Sequence, residues 1–249
     1  MRKIGMITIG QSPRDDILAV MTRYFTSEFE ILQRGALDGL DRASINRMRP
    51  EEGQLTLVSR LRDGTEVELT HANVLPLLRE GIDNLIADGA EFIVSLCTGE
   101  FTDLRSDSVF ILHPGTLLRG VVMALAQGAK LGVVRPSASQ VTEEEVTREK
   151  RWWGALDVFV TWASPYAQPE IRARDWQRAA EALKKNRVDL TFLNCMGMDE
   201  EMKWVVNDIT RKPVVLASAV VARTVDELIG PGVRADWSAH AGVDKALKL

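Results

Sequence analysis

Cys97 and Cys195 are the only two cysteines in this chain, and their surroundings repeat. Residues 90–99 read as acidic residue, apolar strand, Cys, any residue, Gly, and residues 188–197 read the same way. Such a cysteine ends a parallel strand, where open α/β sheets bind ligands. The N–H groups of a following helix start favour its thiolate and make it a usable base. If one thiolate takes a proton from a carbon beside a carboxylate while a thiol opposite returns one, that carbon inverts without metal or organic cofactor. Either cysteine alone reads as a small buried hydrophobe. Equivalent placement, each two residues before a glycine that permits close backbone approach, favours chemistry.

The charge that develops in such a step needs preorganised donors. Ser12 and Ser137 stand where helices begin after strands, although Ser12-Pro13-Arg14-Asp15 equally reads as an ordinary helix cap. Thr98 and Gly99 follow one cysteine and Met196 and Gly197 the other, so their N–H groups are placed to hold a substrate carboxylate or carbonyl. Arg14, and Arg135 with Pro136 beside it, lie near helix starts, where a guanidinium can pair with an acid. His113 follows a strand and reads as an acid–base group or as a structural histidine.

Other functions fit poorly. His71, His113 and His240 are scattered and none has ligand spacing to a cysteine, so no metal is expected. A net charge of −4 without a basic block leaves no footprint for nucleic acid or a membrane surface. Apolar runs are far shorter than a bilayer span, and the basic opening is interrupted too early for a signal peptide, so a cytoplasmic protein with unpaired thiols is expected.

These residues must be positioned by strands. Short Ile/Val/Leu/Phe runs at 3–9, 29–33, 92–96, 109–112, 131–134, 158–162, 190–194 and 213–216 alternate with helical periodicity at 14–24, 74–88, 117–126, 143–153, 171–186, 200–209 and 219–229. That is an α/β pattern of parallel strands with crossover helices. Residues 55–69 interrupt it with two alternating runs about Asp63-Gly64, a β-hairpin insertion. Residues 39–53 lack a period and read as irregular, and those from 230 onward as a loose tail or partner-binding arm. A second self-match, residues 4–13 against 131–139, occurs in the same order as the first. The chain therefore reads as two similar Rossmann-like, flavodoxin-like parallel-sheet domains related by a pseudo-twofold, each aiming one cysteine at a shared cleft. Residues 1–116 with 217–249 form the domain of Cys97, and residues 117–216 that of Cys195.

Thr8-Ile9-Gly10-Gln11-Ser12-Pro13-Arg14, Leu96-Cys97-Thr98 and Asn194-Cys195-Met196-Gly197-Met198 resemble the AroM family over nearly the whole chain to about residue 230. That family in turn resembles the aspartate/glutamate racemase superfamily, with its hydantoin racemases, maleate isomerases and arylmalonate decarboxylases. The resemblance implies cofactor independence, a homodimer, a last helix returning to the first domain, and a catalytic role for Cys195, whose motif is similar to the Cys-Ala-Gly-Met of hydantoin racemases. Thr98-Gly99 departs from the Asn-Thr that follows the first cysteine in amino-acid racemases. Three functions stay open: a two-cysteine racemase or isomerase of a small carboxylate or cyclic amide, a non-catalytic binding protein for a small acid, and a decarboxylase or lyase using one cysteine.

Overall fold

The computed structural model describes residues 2–51, 53–154 and 156–230. The first half runs β1 (Lys3–Thr8), α1 (Asp15–Met21), β2 (Glu30–Gly35), α2 (Arg42–Asn46), β3 (Thr56–Arg60), β4 (Glu66–Thr70), α3 (His71–Ala87), β5 (Phe92–Ser95), β6 (Phe110–Leu112) and α4 (Pro114–Leu125). The second runs β7 (Leu131–Arg135), α5 (Glu143–Trp153), β8 (Val158–Trp162), α6 (Pro169–Lys185), β9 (Leu190–Leu193), α7 (Glu200–Thr210), β10 (Val214–Leu216) and α8 (Ala217–Ile229). Two four-stranded sheets result, ordered β2-β1-β5-β6 and β8-β7-β9-β10. Every strand pair in both is parallel. β3 and β4 form a separate antiparallel hairpin.

The central strands are apolar on both faces because both faces are covered. Ile4, Met6, Phe92 and Val94 of the first sheet share one buried cluster with Leu131, Val133 and Phe192 of the second and with Val221 and Val225 of α8. Trp153 is fully buried there, edge-on to Phe192. α8 packs on α1 and α4 of the first half. Two further clusters flank the cleft. Leu57, Leu69, Leu78 and Ile82 gather around Cys97, and Trp176, Leu183, Met202 and Val206 gather around Cys195.

Local chemistry moves several boundaries from those expected. The stretch taken as irregular holds the short helix α2, because Asp41 accepts from the N–H of Ser44 and caps it. α3 begins at His71 rather than 74 because the Thr70 hydroxyl caps it on Asn73. α4 begins at Pro114, whose missing N–H is harmless in a first turn. The tail expected after residue 230 lies outside the described residues.

Two glycines set the approach of the loops above β1. A Cβ on Gly10 would lie 2.3 Å from Ser59 Oγ and 2.4 Å from the Arg60 carbonyl oxygen, so a side chain there would push the hairpin away. A Cβ on Gly35 would meet the Gly10 carbonyl oxygen at 2.5 Å and the Ser12 nitrogen at 2.6 Å, both backbone atoms with little room to yield. Gly35→Ala is expected to destabilise the chain by about 1–3 kcal/mol, the usual range for overpacking, read as a lowered midpoint in thermal denaturation. An unchanged midpoint would show that the loop gives way.

Candidate functional site

Cys97 lies two residues beyond the end of β5, and Cys195 two beyond the end of β9. The residue before each makes the same ladder bond. Leu96 N–H donates to the Ile7 carbonyl at 2.7 Å, and Asn194 N–H to the Val134 carbonyl at 3.0 Å. Both chains then turn tightly, so that Gly99 N–H donates to Cys97 Sγ at 3.3 Å and Gly197 N–H to Cys195 Sγ at 3.4 Å. Neither cysteine opens a helix as expected: residues 96–109 connect β5 to β6, and α7 starts only at Glu200 with Asp199 as its cap. Those two glycine N–H groups therefore serve the sulfurs, not a substrate carboxylate.

One small, partly open cavity of about 30 Å³ is lined by both cysteines. Arg14, Cys97, Thr98, Gly99, Arg135, Pro136, Cys195 and Met196 line it. The Thr98 hydroxyl points across the cleft to the Asn194 carbonyl at 3.4 Å. A space that small holds about one water, so a substrate enters only if the walls part.

Burial outweighs the local N–H donors. Desolvation pushes the Cys97 thiol up to about 12, opposed by the Gly99 N–H and by the charges of Arg135 and Arg14, and reinforced by any charge on Cys195. Cys195 is also raised by burial, opposed by Gly197, Tyr166, Arg14 and Arg135. The expected thiolate-favouring environment is thus reversed at both positions.

Arg14 is only 3 % exposed and is fully engaged. Its guanidinium forks onto Asp16 at 2.9 and 2.8 Å, donates to Tyr166 Oη at 3.1 Å, and reaches the hydroxyls of Thr8 and Ser59. Burial disfavours the charge, but Tyr166 and Asp16 more than offset this and Arg14 is held protonated. Arg135 differs: its Nη1 lies 3.5 Å from Glu149, while its buried Nε has no hydrogen-bond partner among the described residues.

Ser12 and Ser137 do not line the cavity. The Ser12 N–H and hydroxyl both go to Asp38, at 2.8 and 2.6 Å, so it neither caps α1 nor faces a ligand, and Arg14 takes the cap position. Ser137 caps a short 3-10 turn and donates to Glu68 at 3.0 Å. Gly197 touches the site through Cys195. His113 stands at the start of α4, away from the cavity.

What sequence reasoning missed is the hairpin's part. Leu57, Val58 and Ser59 of β3 form one wall of the cavity. On β4, Glu68 accepts from Ser137 and Ser139 and Glu66 accepts from Ser164, while on β3 the Thr56 carbonyl accepts from Gln140 Nε2 at 2.8 Å. The hairpin is thus fastened to the loops that follow β7 and β8. Tyr166, Gln140 and Asn194 also line the cavity and were not anticipated. The carboxyl end of β8 was a signal available for Tyr166.

The profile of the AroM protein family matches residues 4–229. The chain belongs to the AroM family. No functionally curated protein matches the sequence closely enough to count as a relative. Solved structures similar to this AroM-family chain include aspartate racemase from Picrophilus torridus (15 % identity, TM-score 0.54, covering 92 % of this chain and 95 % of that one). Allantoin racemase from Klebsiella pneumoniae is similar at 14 % identity and TM-score 0.58, covering 93 % and 89 %. Unliganded arylmalonate decarboxylase is similar at 15 % identity and TM-score 0.54, covering 93 % and 94 %. At these identities the likeness is one of α/β fold.

Removing the Glu68 carboxylate frees two serine hydroxyls and loosens the hairpin over the cavity. Glu68→Ala is expected to speed iodoacetamide alkylation of both buried cysteines several-fold, followed by peptide mass spectrometry. Equal rates in the two proteins would mean that access to the thiols runs by another route.

Proposed function

We propose that this protein is a cofactor-independent racemase or isomerase of a small carboxylate or cyclic amide, with Cys97 and Cys195 as opposed acid and base. The observation that carries it is that both cysteines, from matching positions beyond two parallel strands, line one small cavity. The matching strand orders support a description as two related halves about a pseudo-twofold, residues 1–116 with 217–249 and residues 117–216, with the hairpin as an insertion in the first.

In the reaction, a thiolate on one side takes the substrate proton. The S–H bond forms as the C–H bond breaks, and the electron pair delocalises into the neighbouring carbonyl or carboxylate. The thiol on the other side then gives its proton to the opposite face, its S–H bond breaking as the new C–H bond forms. The sulfurs have exchanged protonation states, and proton exchange with solvent resets them. Because Arg14 is already occupied by its own partners, Arg135 Nε is the donor left for the substrate's acid group and for the charge that builds on it. Thr98 offers its hydroxyl beside Cys97.

Likeness to arylmalonate decarboxylase supports a second reading. There a C–C bond to carbon dioxide breaks, the electron pair enters the same enolate, and one thiol supplies the proton. Carbon dioxide release and unequal effects of the two cysteine substitutions would mark that case.

For a two-cysteine racemase, a panel of chiral carboxylates and cyclic amides in deuterium oxide should reveal a compound that takes up deuterium at its acidic carbon. Cys97→Ser and Cys195→Ser should each lower its racemisation by about 100-fold or more, within the span usual for acid–base groups. No exchange across the panel, or activity that survives both substitutions, overturns the reading. Since burial raises both thiols, the base form is scarce at neutral pH and grows as pH rises. The rate kcat/KM is accordingly expected to keep climbing beyond the ordinary thiol range of about 8.5, whereas a flat profile would show that no thiolate limits the step.

A further inference from the structure

The two cysteines have matching backbone settings and different neighbours. Cys97 Sγ accepts from the Gly99 N–H, and Cys195 Sγ from the Gly197 N–H. Cys195 has in addition the hydroxyl of Tyr166 at 3.7 Å. Tyr166 lies in the loop between β8 and α6, with its N–H donating to Ser164 Oγ at 3.0 Å. Its ring is seated against Gly197, where a Cβ would fall 2.2 Å from the phenol oxygen. A side chain at 197 would therefore displace the tyrosine.

Hydrogen-bond direction follows from the inventory of donors. A guanidinium can only donate and stays protonated in proteins, so at the 3.1 Å contact the phenol oxygen accepts from Arg14. The phenol has one hydrogen, and the remaining partner within reach is Cys195 Sγ. A donor aimed at sulfur stabilises the thiolate over the thiol. Cys97 has no counterpart of this bond among the described residues.

We propose that Tyr166, held by Arg14, is a positioning residue that places the pair's negative charge on Cys195 and leaves Cys97 as the thiol. Its meaning for catalysis rests on the two-cysteine reading above, whereas the order of ionisation does not. The charged and titratable groups around Cys195 are Tyr166, Arg14, Arg135 and Cys97, and those around Tyr166 are Arg14, Asp16 and Cys195. Arg14 and Arg135 act on both sulfurs and so do not distinguish them. Tyr166 does. Burial and the neighbouring sulfur hold its phenol well above the ordinary range, so it stays a donor.

The test uses the full chain labelled with carbon-13 at the cysteine β-carbons. This gives two resonances, assigned with Cys97→Ser and titrated from about pH 6 to about pH 12. Cys195 is expected to titrate first, at least about one pH unit below Cys97, and Tyr166→Phe to move Cys195 upward by about one unit with Cys97 shifted less. Cys97 ionising first in the unsubstituted protein overturns the proposal, as does a Tyr166→Phe profile in which Cys195 has not moved. Should the Phe variant fail to fold, the order in the unsubstituted protein still decides. Absence of substrate exchange would count against the racemase reading alone, because this titration needs no turnover.

Discussion

A guanidinium inside a protein must be met by acceptors on nearly every side, and the partners of Arg14 are drawn from distant parts of the chain. Asp16 comes from α1, Thr8 from β1, Ser59 from the hairpin and Tyr166 from the β8–α6 loop of the second half. Satisfying one buried charge therefore fixes the loop above β1, the underside of the hairpin and one wall of the second half relative to one another. Asp16 in turn is kept ionised: burial raises it, but Arg14 and Arg60 outweigh that. Gly10 and Gly35 belong to the same constraint, since side chains at either would push apart the segments that the arginine holds together.

On this fixed frame the two sheets supply similar parts to one cavity. Cys97 and Cys195 follow the same ladder bond and accept from the same kind of glycine N–H. Inversion at carbon needs that much likeness, because proton donor and acceptor must approach opposite faces at comparable reach. It also needs a difference, because at any instant one sulfur must hold a proton and the other must not. The difference lies outside the repeat, in the hairpin over the cleft and in the loop that carries Tyr166.

The parallel strands and the cysteines beyond their ends were legible in the sequence for a physical reason. Strand, turn and cysteine are local, and burial on both faces of a parallel strand writes a continuous apolar run that needs no partner to be recognised. What stayed hidden depends on contacts between remote residues. Ser12 and Ser137 sit beside helix-like patterns as caps or ligand donors would, yet Asp38 and Glu68 claim their hydroxyls from 26 and 69 residues away. The hairpin was visible as alternation about Asp63-Gly64, but not that Glu66 and Glu68 would fasten it to serines of the other half. Even α2 was lost for want of periodicity, since a helix that short is held by its Asp41 cap more than by a buried face.

The desolvation of the thiols, which at first sight opposes catalysis, suits the chemistry proposed. A carbon beside a carboxylate is a very weak acid, and a base acts on it more effectively as its own conjugate acid weakens. Burial makes each thiolate scarcer and more basic at once. The two ionisations are also coupled, because a charge on Cys195 raises Cys97 further. Two interacting acids of this kind titrate as a pair, and the singly ionised form spans the interval between their two steps. The wider that interval, the broader the pH range over which one base and one acid stand ready together. A cavity of only about 30 Å³ strengthens both effects by leaving little water beside the sulfurs.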